Sequence, residues 1–99
     1  MKTYLIAFQS RNKGFNYMYF FQELKQLCDR NYFLLMDNLL YIRTTLDKDS
    51  LCKNLRPKLF EDDSLLIQQV DFSDTTKIQG FLPSSFWSWF TKSENKLEE

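Results

Sequence analysis

The sequence predicts an α+β domain: four antiparallel strands, two main helices and a short C-terminal helix. Three observations predict it. Apolar residues occupy both sides of a two-residue period over residues 3–8 and 65–72, as in a strand with both faces covered. They recur at three- and four-residue steps over 17–28, and at four-residue steps over 51–59, as on one face of a helix. Two further apolar runs, 32–36 and 39–45, are parted only by Asp37-Asn38, the pattern of a tight hairpin.

The first strand places Tyr4, Ile6 and Phe8 on one side and Leu5 and Ala7 on the other. Both sides are apolar, so a central strand covered on both faces is expected. The chain then turns polar at Gln9, Ser10, Arg11, Asn12 and Lys13 before Gly14. Asn16 is suited to cap a helix carrying Tyr17, Phe20, Phe21, Leu24, Leu27 and Cys28, and Asn31 is expected to end it. In the hairpin, Asp37 and Asn38 are residue types that tolerate positive φ. Asp47 is suited to cap a second helix with Leu51, Leu55 and Leu59 on one face. Pro57, which lacks an amide hydrogen, is expected to kink that helix or begin a new turn. Glu61-Asp62-Asp63-Ser64 reads as a solvated turn rather than a metal cluster.

In the fourth strand Leu66, Val70 and Phe72 oppose Leu65 and Ile67. Residues 73–80 read as a loop or irregular edge. Pro83 and Ser84 introduce a short helix in which Phe86, Trp89 and Phe90 share a side and Trp87 lies on the flank. That helix serves either as a lid on the sheet or as a surface that stacks bases or holds a partner. The domain is expected to span residues 1–91, and the charged segment 92–99 to be a frayed tail.

Composition narrows the function. Ninety-nine residues make one domain. Thirteen basic residues balance thirteen acidic ones, so no global field draws the chain to nucleic acid or membrane. Ten Phe, five Tyr and two Trp exceed what a small core must hold, which favours a buried subunit interface. Histidine, the usual general base and common metal ligand, is absent. Cys28 and Cys52 are too few and too far apart for a zinc site, and are expected to be reduced, half-buried helix residues of a cytoplasmic protein. Lys2 is followed by a strand pattern rather than a leader's apolar run, and no stretch approaches the roughly 20 apolar residues of a membrane helix.

The element order is that of the split βαβ, or ferredoxin-like βαββαβ, arrangement, with both main helices on one face of a four-stranded antiparallel sheet. The last helix is too short to cover the second face alone, so a twofold homodimer is expected. The carriers of a wider likeness are MKTYLIAF at 1–8, NKG at 12–14, Tyr17, Asp37, Arg43-Thr44, Leu55-Arg56-Pro57, Asp63 to Ile67, and Pro83, Phe86 and Trp89. On these residues the chain resembles the small SinR-like proteins, relatives by fold of the CRISPR-associated second Cas protein and of virulence-associated protein D. The resemblance implies a ferredoxin-like dimer from a prokaryote or its phages, linked with defence or toxin–antitoxin systems.

In the nuclease relatives an aspartate ends the first strand and binds a divalent metal with its copy across the dimer. Gln9 stands at the matching position, and a neutral amide is a poor ligand for Mg²⁺. The expectation is therefore a catalytically inactive binding module with no catalytic residue and no cofactor. The alternative, a metal-dependent endoribonuclease using Mg²⁺, would need an acid such as Asp37, Asp71 or Asp74. The candidate ligand site is Gln9, Ser10, Arg11, Asn12 and Lys13, where the two cations and the amides near Gly14 suit a phosphate, nucleotide or nucleic acid. The second candidate, for a partner or stacked bases, is Phe86, Trp87, Trp89 and Phe90. Lys53, Arg56 and Lys58 form a modest basic stretch that reads as a solvated helix face.

Overall fold

Residues 1–70 and 80–90 are described by the structure, a computed structural model. β1 (Lys2–Gln9), apolar from Tyr4 to Phe8, has hydrogen-bonded neighbours on both sides. α1 (Tyr17–Leu27), β2 (Tyr32–Met36), β3 (Leu39–Thr44), α2 (Lys48–Leu55) and β4 (Ser64–Val70) follow, and a last helix, α3, occupies residues 84–90. The sheet order is β2-β3-β1-β4, antiparallel at each pairing. β3 lies between β1 and β2, and β1 between β3 and β4, so each βαβ unit straddles a strand of the other. This is the ferredoxin-like α+β fold expected from the element order.

Register separates the two faces. Tyr4, Ile6 and Phe8 stand beside Ile42 and Leu40 on one flank and Ile67 and Leu65 on the other. This face packs on Phe20, Phe21 and Leu24 of α1 and on Leu51 and Leu55 of α2, forming the main core. Each such side chain contributes about 1.5–3 kcal/mol on full burial. The tilted ring pairs Phe8–Phe20 (4.6 Å) and Phe8–Tyr17 (5.7 Å) close the core at the end of β1.

Local chemistry sets the ends of the elements. Asn16 Oδ1 accepts from the Tyr19 amide (3.0 Å), and Asp47 Oδ1 from the Ser50 amide (2.8 Å), so both expected caps are in place. α1 stops earlier than expected. Asp29 and Arg30 take positive φ (50° and 62°), and the Arg30 amide donates to the Lys25 carbonyl (2.8 Å). The reversal is thus made before Asn31 by Asp29, a residue type that tolerates positive φ, and by Arg30, for which it is strained. Pro57 lies in a 3-10 turn, Arg56–Lys58, that succeeds α2, as its missing amide requires.

The Asp37-Asn38 turn closes the expected hairpin, but neither residue adopts positive φ. The pairing of β2 with β3 shifts register between Leu34 and Met36, the pattern of a bulge. The cysteines depart from expectation too. Both are free, but Cys28 is buried just after α1 and Cys52 is exposed on α2.

α3 covers part of the second face. Phe86 and Phe90 are buried against Phe33, Leu35, Tyr41 and Val70. Beneath them Arg43 is 1% exposed; its guanidinium lies 4.4 Å from the Trp89 ring centre and donates to the Phe90 carbonyl (3.4 Å). The lid ends there. At the other end, Met36, Leu39, Ala7 and Leu66 face one another in register across all four strands, with Met36 55% and Leu66 52% exposed. The expected end of the fourth strand at Phe72, most of the loop over 73–80, and the tail 92–99 lie outside the described residues. No helix among the described residues is long and apolar enough to cross a membrane.

Candidate functional site

The end of β1 is where the fold places the polar residues singled out above. Gln9 leaves the sheet opposite Ser64, the first residue of β4, and the Phe8 amide donates to the Asn38 carbonyl of the hairpin (3.0 Å). These residues line a hollow of about 240 Å³ with Ala7, Phe8, Leu65 and Leu66. Every lining residue is uncharged, so a hard cation would find amide and hydroxyl groups there but no balancing anion.

The loop that follows is held by its own hydrogen bonds. The Asn12 amide donates to Ser10 Oγ (3.2 Å), the Gly14 amide to Asn12 Oδ1 (3.4 Å), and the Phe15 amide to the Asn12 carbonyl (3.1 Å). Three amides expected to cradle an anion are therefore engaged inside the loop. Arg11 and Lys13 remain exposed on it. Gly14 sits against the 56–63 segment: a β-carbon there would lie 3.4 Å from the Phe60 ring.

Of the carboxylates weighed for metal binding, Asp37 lies in the hairpin turn beside Asn38, which lines this hollow. The Tyr17 hydroxyl donates to the Asp37 carbonyl oxygen. Burial raises the Tyr17 phenol pKa above its ordinary value, and the Asp37 charge adds to the effect. Asp71 and Asp74 lie outside the described residues. Among the described residues no group of three or more His, Cys, Asp or Glu side chains is placed to hold a metal ion.

The aromatic candidates divide. Phe86 and Phe90 are spent in the second-face core, which corrects their reading as an open stacking surface. Trp87 and Trp89 are half-buried at its margin, and the Trp89 ring has the Arg43 guanidinium against it. On the basic stretch, Arg56 donates to the Phe60 and Glu61 carbonyls (2.9 and 3.2 Å), while Lys58 Nζ donates to the Tyr19 hydroxyl (2.7 Å). Both cations hold the turn after α2, and Lys53 is exposed. The turn itself is tied by Asp63, whose Oδ2 accepts from the Phe60 amide (2.7 Å), as a solvated connection requires.

Two features escaped the sequence reading. One is a hollow of about 510 Å³ between α2 and β4, where Lys48 and Arg56 share the lining with Asp49, Glu61 and Asp63. The other is a hollow of about 560 Å³ along β2, lined by Gln22, Lys25, Arg30, Tyr32, Phe33 and Leu34. The second joins residues from α1, the strained reversal and an edge strand, and no contiguous motif marks it. No protein-family model, curated protein or solved structure matches the chain.

Proposed function

We propose that the chain is a catalytically inactive, homodimeric binding module that works by holding a protein or nucleic-acid partner. Its resemblance to the SinR-like proteins supports a role in a prokaryotic or phage defence, counter-defence or toxin–antitoxin system. The observation that carries the dimer is the in-register apolar row Met36, Leu39, Ala7 and Leu66, half-open on a face that α3 only partly covers. A row without charge is complementary to its own twofold copy, the condition for an isologous interface. The uncharged hollow beside Gln9 supports binding over metal-dependent hydrolysis, since Mg²⁺ favours anionic oxygens.

Sedimentation at micromolar concentration should give twice the 12.0 kDa chain mass. Leu66→Glu, which places a carboxylate in the row, should give the single-chain mass with an unchanged circular dichroism spectrum. Wild-type protein that is folded and monomeric would overturn the dimer. Purified protein with Mg²⁺ or Mn²⁺ should leave RNA and DNA intact; cleavage that disappears in Asp37→Asn would establish the endoribonuclease alternative.

A further inference from the structure

We propose that the outer edge of β2, which pairs with no further strand among the described residues, docks an extended peptide segment bearing carboxylates at alternate positions. β2 is an outer strand of the sheet. The Arg43 amide donates to the Asn31 carbonyl (2.9 Å), which makes Asn31 and Arg43 a hydrogen-bonded pair. Antiparallel alternation then turns the backbone groups of Tyr32 and Leu34 away from β3, toward the open edge. Such an edge is a template for one more strand.

The side chains beside that edge select its occupant. Lys25 and Arg30 line the hollow and no acidic residue does. Tyr32 and Leu34 share the helix-bearing face of the sheet with Ile42 and Leu40, their partners in β3. In an added strand every second side chain lies on that face. Carboxylates two residues apart would therefore meet Lys25 and Arg30 in succession. A second copy of this chain is disfavoured, because pairing β2 with itself would bring these cations against their own copies.

The rings do not suit stacked bases. Tyr32 has Phe21 edge-on at 5.5 Å and Lys25 Nζ 6.0 Å from its centre, while Phe33 packs on Phe86 and Trp89 (5.4 and 6.0 Å). The backbone edge and two cations remain as the means of recognition. This inference does not rest on the dimer, whose apolar row lies on the opposite face of the sheet.

The test titrates the whole chain into a fluorescein-labelled Glu-Val-Glu-Val-Glu-Thr peptide and follows anisotropy. Binding should weaken in about 1 M salt, where the Debye length falls to roughly 3 Å. The double variant Lys25→Glu with Arg30→Glu should lose at least about tenfold in affinity, as like charges then face each other. A peptide methylated at every backbone nitrogen should fail to bind the unaltered protein, which separates strand pairing from charge attraction without a variant that might misfold. The proposal is overturned if the methylated peptide binds as tightly as the parent, or if oligouridylate does. It is also overturned if the parent peptide shows no binding at about 1 mM, a dissociation constant worth only about 4 kcal/mol.

Discussion

At the residue scale, Tyr4 joins core packing to a single polar obligation. Its ring is fully buried between the sheet and the helices, while its hydroxyl donates to the Leu46 carbonyl (2.9 Å). Tyr4→Phe keeps the ring and deprives that carbonyl of its donor, so urea unfolding should show a loss of about 1–2 kcal/mol. Burial raises the phenol pKa above its ordinary value, and the Asp47 charge adds to the effect. A group whose pKa is raised on folding contributes stability below its unfolded value, which is lost as pH rises through the folded value. The wild-type urea midpoint should therefore fall above about pH 10, and Tyr4→Phe should fall less steeply. Equal slopes would show that Tyr4 does not carry the alkaline transition.

At the element scale, α2 and α3 are held differently. α2 is short and owes its start to Asp47, whose carboxyl pKa is lowered first by the Ser50 amide. A lowered folded pKa means stability present above the unfolded value near 4 and lost as pH falls through the folded one. The urea midpoints of wild type and Asp47→Ala should differ at pH 7 and converge toward pH 2; a constant gap would remove the cap from the account. α3 owes its place to packing. Phe86 is completely buried and makes ring contacts with Phe33 (5.4 Å), Tyr41 (5.5 Å) and Phe90 (5.7 Å). Phe86→Ala should cost about 3–5 kcal/mol and increase quenching of tryptophan emission by acrylamide, since Trp87 and Trp89 flank the cavity. A loss under about 1 kcal/mol would mean that α3 is not anchored on the sheet.

At the scale of the whole molecule, α1 and α2 pack on one face of the sheet and α3 covers part of the other. If the open apolar row joins two copies, folding and association are linked, and the melting temperature should rise with protein concentration for wild type but not for Leu66→Glu. A concentration-independent wild-type melting temperature would leave the row without a partner of its own kind. The row crosses β2 at Met36 on the second face, whereas the edge offers the backbone groups of Tyr32 and Leu34, so a dimer formed on the row would still present two edges to extended partners.

Much of this was legible along the chain because burial of a strand or helix face imposes its period locally. The apolar run over 4–8 marked β1, Asn16 and Asp47 marked their helix starts, Asp37-Asn38 marked the hairpin, and the order of elements implied the ferredoxin-like topology. Gln9 at the end of β1 was legible for the same reason, because it follows the last apolar position. What only the tertiary structure decided was which polar groups are already engaged and which apolar ones are covered. Asn12 takes the Gly14 amide, Arg56 and Lys58 hold carbonyl and hydroxyl oxygens, and Phe86 and Phe90 disappear under the sheet. Residues 25, 30 and 32–34 reach one hollow only after a helix has ended early on two left-handed residues. Periodicity reports which face a residue occupies, but a site depends on through-space neighbours, and those are fixed only when the strands take their order and the helices settle on them.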